Sequence, residues 1–162
     1  MTQSFFQQEI KQTKPFHSLR AEAGVGLLNV ADDLRRSFAA VVKKKSVSPQ
    51  QYNILGILRG AGKDGLATRE VAARLIEKWP GVTRFLDQLE SRGLIERHRS
   101  KEDRRRVLCR ITRSGLALLE TLDRPVREWE EWSLRMLKGK ELRQLLRFLE
   151  SMRSGDPGTG AA

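Results

Sequence analysis

From residue 19 to about residue 44, apolar positions recur at steps of three and four. Leu27, Leu28, Ala31, Leu34, Phe38, Val41 and Val42 form a single helical stripe. Arg35 and Arg36 lie off it. The Lys43-Lys44-Lys45 run closes it, where cations suit the negative end of the helix dipole. The first eighteen residues are weakly patterned and fit an arm or a short helix equally well.

Ser48-Pro49-Gln50-Gln51 predicts the next helix start, with Ser48 as cap, Pro49 in the first turn and Gln51 reaching back to the cap amide. That helix turns Tyr52, Leu55 and Leu58 inward and stops at Gly60-Ala61-Gly62. A turn at Lys63-Asp64-Gly65 and a very short strand at Leu66-Ala67 follow. Thr68 is expected to cap a helix with Val71, Ala72, Leu75 and Ile76 inward. After the tight connection Glu77-Lys78-Trp79, Pro80 is expected to open another helix, with Val82, Phe85, Leu86 and Leu89 inward and Gly93 as a left-handed cap.

Gly93-Leu94-Ile95 and Val107-Leu108-Cys109-Arg110-Ile111 then read as two antiparallel strands around a polar loop. Thr112 caps a long helix whose Leu119, Leu122, Val126, Trp129, Ser133 and Met136 keep an alternating three-four spacing suited to packing on another helix. Pro125 should bend or break it near Asp123. Past Gly139, a last helix turns Leu142, Leu145, Leu146, Leu149 and Met152 inward, and residues 153–162 read as a disordered tail.

Charge changes the meaning of the hairpin. The 162-residue chain carries 31 basic and 20 acidic residues, a formal net charge of +11. Six of the ten residues from Arg97 to Arg106 are Lys or Arg, so the charge is concentrated where a polyanion could be gripped. The composition is that of a soluble domain. The N-terminus shows no signal peptide, no apolar run reaches the ~20 residues of a membrane span, and a cytoplasmic location without membrane contact is expected.

Helix, turn, helix and hairpin in this order make a winged helix-turn-helix, a mainly α, α+β fold. Its second helix sets Gly81, Arg84 and Gln88 opposite its core face, with Thr83 and Asp87 beside them, and a helix of this size fits the major groove of double-stranded DNA. Arg84 suits guanine and Gln88 adenine. Thr83 can meet a thymine methyl or a phosphate, and the bare backbone at Gly81 can approach a phosphate. Thr68 and Arg69 open the preceding helix on the expected DNA side. In the hairpin, Arg104 and Arg105 suit a narrow minor groove, whereas Arg97, Arg99 and Lys101 are expected on flanking phosphates. Asp103 can hold an arginine in one pose, serve as a turn residue, or do both.

The text from Val82 to Arg97, with Glu102-Asp103-Arg104-Arg105-Arg106-Val107-Leu108 and Ile111-Thr112-Arg113-Ser114-Gly115, resembles the MarR family of bacterial transcription regulators. Ser48-Pro49-Gln50-Gln51-Tyr52 is similar to that family's opening of its second helix. The likeness spans about residues 19–152. It implies a DNA lobe over 48–112 and a dimerisation lobe from 1–45 plus 113–152. It also implies a homodimer on a nearly palindromic operator, acting as a repressor, with release by a small aromatic or lipophilic effector. Thr83 and Arg84 would read bases, and Asp103, Arg104 and Arg105 would serve the wing. The turn Ile76-Glu77-Lys78-Trp79-Pro80-Gly81 departs from the family pattern, and there Lys78 is placed to supply a phosphate contact. Trp79 fits either packing on the first helix of the lobe, the favoured reading, or an exposed functional role.

Other chemistry finds little support. His17 and His98 lie far apart without companion cysteines, so neither a metal site nor any cofactor is expected. Cys109 reads as buried filler, since redox-sensing members usually carry their cysteine in the first helix. No paired carboxylates, activated nucleophile or phosphate-cradling loop suggests an enzyme. Phe38, Tyr52, Trp129 and Trp132 are candidates for lining an effector cleft, although aromatics on helical stripes more often serve core or dimer contacts.

Overall fold

The computed structural model describes residues 4–76, 81–99 and 106–154. They form α1 (Phe5–Glu9), α2 (Leu19–Lys43), α3 (Pro49–Ala61), β1 (Leu66–Ala67), α4 (Thr68–Arg74), α5 (Val82–Ser91), β2 (Ile95–Arg99), β3 (Val107–Ile111), α6 (Arg113–Ser133) and α7 (Gly139–Ser154). The fold is mainly helical with one small antiparallel sheet, and the chain divides into compact units at Val126/Arg127. Among the described residues, no helix is long and apolar enough to cross a membrane.

The first unit is built around α3. The Ser48 side chain accepts from the Gln51 amide at 3.1 Å, and the Ser48 amide donates to Gln51 Oε1 at 3.0 Å, a complete capping box. Ser48→Ala should lower stability by about 1 kcal/mol, read as a shifted denaturation midpoint with an unchanged denaturant slope. From this start, α3 drives Ile54, Leu55 and Leu58 into a core completed by Leu66, Val71, Val82, Leu86, Leu89, Ile95, Cys109 and Leu119. A second cluster joins Val42 of α2 to Leu122 and Val126 of α6, flanked by Phe38, Val41 and Tyr52.

β3 is the central strand, between β1 and β2. Leu66 pairs with Cys109, and the β2–β3 register runs from Ile95↔Ile111 to Arg99↔Val107. β2 therefore runs from Ile95 through Arg99, well past the expected Gly93-Leu94-Ile95 strand, and Arg97 and Arg99 belong to a strand instead of the loop. Between α5 and β2, Gly93 takes φ 66°. Its amide donates to Glu90 O at 2.8 Å, and that of Leu94 to Leu89 O at 3.0 Å, the paired bonds of a Schellman ending.

Thr112 makes the corner from sheet to α6. Its hydroxyl donates to Gly93 O at 2.7 Å and accepts from the Gly115 amide at 3.1 Å, while its own amide donates to Leu94 O at 3.1 Å. So tight a corner leaves Gly115 no room for a side chain: a Cβ there would lie 2.2 Å from the Leu94 carbonyl oxygen.

Several expectations are corrected. α4 is capped at Ala67, not by Thr68, because the Glu70 carboxylate takes the Ala67 amide at 2.8 Å. The helix ends at Arg74, and Leu75 turns extended, so Ile76 is 85% exposed instead of inward. α5 starts at Val82, preceded by Gly81 in a left-handed conformation at φ 110°; the helix opening expected at Pro80 lies outside the described residues. α6 continues through Pro125 without a break. One missing donor in a 21-residue helix is outweighed by buried Leu119, Leu122 and Val126 on either side of the proline.

The α2 stripe also shifts. Leu28 is 73% exposed, and Leu27 and Ala31 are exposed as well. The covered line in that half passes instead through Val25, Gly26 and Asn29, because α1 lies there with the Phe6 ring directly over Gly26. The N-terminal segment thus contains a short helix, with Gln7 buried.

The second unit holds the end of α6 and all of α7. The Arg135 guanidinium sits 4.5 Å from the centre of the Trp132 ring. The expected inward stripe of α7 is not enclosed. Leu142 and Leu145 are half-buried, whereas Leu146, Leu149 and Met152 are exposed. A unit this small cannot close over such a stripe by itself.

Candidate nucleic-acid interface

α5 divides cleanly along its length. Val82, Leu86 and Leu89 are buried, and Gly81, Thr83, Arg84 and Asp87 are exposed. Among the described residues, no ion pair joins Arg84 to an acidic partner, so its guanidinium is available for two parallel hydrogen bonds. Arg69 at the start of α4 and Arg99 at the end of β2 are likewise exposed. Thr68 is half-buried, its hydroxyl 3.9 Å from Cys109 Sγ.

Two residues expected at the DNA surface are engaged internally. Gln88 is half-buried, and its Oε1 accepts from Gln51 Nε2 at 3.0 Å, which ties the middle of α5 to the capping box of α3. Arg97 pairs across β3 with Cys109, and side chains of opposed residues share one face of a sheet. It therefore points to the helix side, where its Nε donates to Glu90 Oε2 at 2.8 Å and its Nη2 pairs with both Glu90 and Asp87. Glu90 first, and Asp87 after it, push the guanidinium's pKa above the usual arginine value. A sequence signal for this existed in hindsight: Asp87 and Glu90 stand one turn apart on α5, and the Schellman turn brings β2 back alongside them.

Glu70 and Arg106 were not anticipated. Glu70 caps α4 and also meets Arg106 Nη2 at 3.3 Å, joining α4 to the foot of β3. The Ala67 amide is the main influence holding its carboxyl below the usual range; partial burial opposes this, and Arg106 and Arg74 assist. Cys109 is fully buried, and burial pushes its thiol pKa up, so the sulfur stays protonated and unreactive at neutral pH.

Lys78, Lys101, Asp103, Arg104 and Arg105, like Trp79, lie outside the described residues. Of the four aromatics considered for a cleft, Phe38 and Tyr52 pack edge to face at 5.4 Å, and Trp132 meets Arg135. Trp129 is half-buried on α6. An open depression of about 300 Å³ lies at the α2–α3 junction, lined by Ala39, Lys43, Ser46, Val47, Ser48 and Pro49, and none of those aromatics borders it. Among the described residues, no group of three or more His, Cys, Asp or Glu is placed to hold a metal.

Comparison with known proteins agrees with this geometry. The MarR family profile matches residues 47–107, from the end of the α2–α3 loop to the start of β3. The HTH-type transcriptional regulator FarR of Neisseria gonorrhoeae is 27% identical over 135 residues, 83% of this chain and 90% of its own length. A MarR transcription factor from Planctomyces limnophilus is 38% identical, with a TM-score of 0.66 over 83% of this chain and 98% of that one. The S. aureus MepR–DNA complex is 25% identical, with a TM-score of 0.73 over 80% of this chain and 95% of that one. At 38% identity over nearly the full length of a solved MarR transcription factor, the chain belongs to the MarR family of transcription regulators.

Proposed function

We propose that the chain is a homodimeric, sequence-specific DNA-binding repressor acting on a palindromic operator. The observation that carries this is the division of α5, with Val82, Leu86 and Leu89 locked in the core and Thr83 and Arg84 presented outward. A two-fold pair of such helices would enter successive major grooves about 34–36 Å apart. The tips of the two wings, with Lys101, Asp103, Arg104 and Arg105, would then fall on the flanking minor grooves. Gly81, Arg69, Arg99, Lys78 and Thr68 complete the proposed surface, and Gln88 contributes from the bond it makes with Gln51.

The exposed apolar side chains Leu28 of α2 and Leu146, Phe148 and Met152 of α7 support the dimer, since a second copy would cover them. The lobes proposed are 48–112 for DNA and 1–45 plus 113–152 for dimerisation. A relative, 25% identical over 126 residues, is the homoprotocatechuate degradative operon repressor of Escherichia coli. That name supports the repressor reading; release by a small aromatic or lipophilic effector is a further part of the proposal, with Phe38, Tyr52, Trp129 and Trp132 as its candidate contacts.

The test is a gel shift on the gene's own upstream region with competing DNA and RNA, combined with light scattering of the free protein. Strong preference for one inverted repeat by a dimer is the expected result. Indifference to sequence, preference for RNA or a monomer in solution overturns the proposal. Arg84→Ala should cost about 1–3 kcal/mol of operator affinity and relax discrimination at one base pair per half-site, measured by titration against single-base operator variants.

A further inference from the structure

We propose that Arg97 is a positioning residue for DNA recognition. By pairing with Asp87 and Glu90 it neutralises two carboxylates of α5 and locks strand β2 of the wing to that helix, and it does not itself touch phosphate. This rests on the DNA-binding reading above. The residue count makes Arg97 look like one more cation of the hairpin, but the structure gives it a different set of contacts.

Three observations carry the assignment. Arg97 is a middle residue of β2 on the helix-facing side of the sheet, and its side chain keeps only 21% of its exposure. Its guanidinium is held through Nε by Glu90 and through Nη2 by both Glu90 and Asp87, so three of its five N–H donors are directed at carboxylates of α5. Asp87 stands one turn beyond Thr83 and Arg84 on the exposed face of α5, at spacings that place side chains together. Its carboxylate is 57% exposed. An unpaired anion there would face the phosphates that Arg84 must approach, and Arg97 is the cation that cancels it.

The second strand of the wing is held in a similar way. Arg106, just before β3, reaches Glu70 on α4. That pair is more exposed, so it holds less firmly than the Arg97 cluster. Each helix of the helix-turn-helix therefore grips one side of the wing's foot through an arginine.

The experiment measures operator affinity against salt concentration for the full-length protein, with folding of each variant checked by circular dichroism. Arg97→Gln should weaken binding roughly tenfold or more while leaving the slope of log affinity on log salt unchanged. A phosphate contact would instead flatten that slope by about 0.9 for each Arg97 removed. Asp87→Asn with Glu90→Gln should weaken binding in the wild-type background, where it loosens the wing. The same pair of changes should strengthen binding in the Arg97→Gln background, where it removes unpaired anions. A general charge effect would have one sign in both backgrounds.

Should Arg97→Gln fail to fold, Arg97→Lys keeps the charge but loses the three-way grip. The proposal expects weaker binding from it at unchanged slope, whereas a phosphate contact would leave affinity intact. A flattened slope, equal effects of the carboxylate changes in both backgrounds, or full affinity for Arg97→Lys overturns the proposal. If the wild-type protein fails to bind any duplex, the reading of the function is what fails.

Discussion

Gly115→Ala should lower the unfolding free energy by about 3 kcal/mol or more. The expectation runs against simple propensity, since alanine is ordinarily preferred to glycine inside a helix by roughly 1 kcal/mol. Here the new methyl would sit 2.2 Å from the Leu94 carbonyl oxygen and 2.7 Å from the Ile111 side chain. The first of these is backbone, already holding the Thr112 amide, so it cannot rotate away. Relief requires α6 to lift from the Gly93–Leu94 corner, which breaks the Thr112 bonds with it. Gly56, in the middle of α3, is the control, because nothing lies within 4 Å of its Cβ position. Gly56→Ala should stabilise by about 0.5–1 kcal/mol. Chemical denaturation of both variants checks the pair, and equal effects of the same sign would rule out the close approach as the cause.

Leu86→Ala should cost about 3–5 kcal/mol. Leu86 is fully buried, centred on α5, within the core cluster that α3 and the sheet also build. The chain around it is held by the Gln51–Gln88 bond and the Schellman turn, so the site has little freedom to collapse on the cavity. A loss of this size is a large share of the 5–15 kcal/mol typical of a domain. It should appear as a lower denaturation midpoint and as a smaller fraction of protein competent to bind operator. Low temperature or a stabilising osmolyte should recover binding without altering sequence preference, because Thr83 and Arg84 are untouched. Changed base preference in the refolded fraction would instead show that Leu86 sets the pose of α5.

Much of the architecture was readable because it is written in local chemistry. Ser48 and Gln51 are three residues apart with a proline between them, Gly93 follows a helical run, and Thr112 precedes another. Each is a backbone device that works over a few residues. The reading failed where the deciding partner is distant in sequence. Thr68 resembles a cap, but Glu70 holds the Ala67 amide. Leu27 and Leu28 resemble an inward stripe, but α1 lands on Gly26. Pro125 resembles a break, but it is flanked by buried leucine and valine contacts.

The candidate interface divides in the same manner. Thr83 and Arg84 follow from helical periodicity alone, and the structure exposes both. Arg97 could not be told from Arg99 by composition; they differ in strand parity, which is fixed only once β2 is paired with β3. Likewise, the Gln51–Gln88 bond joins residues 37 positions apart, which no local pattern encodes.

The sheet has a consequence for how the protein behaves when concentrated. Its central strand is covered on both sides, and one margin is the two-residue β1, too short to template a neighbour. The other margin, β2, reads Ile-Glu-Arg-His-Arg. A row of ionic side chains resists stacking against an identical row from another molecule. That margin is thereby protected from the margin-to-margin aggregation to which small exposed sheets are prone.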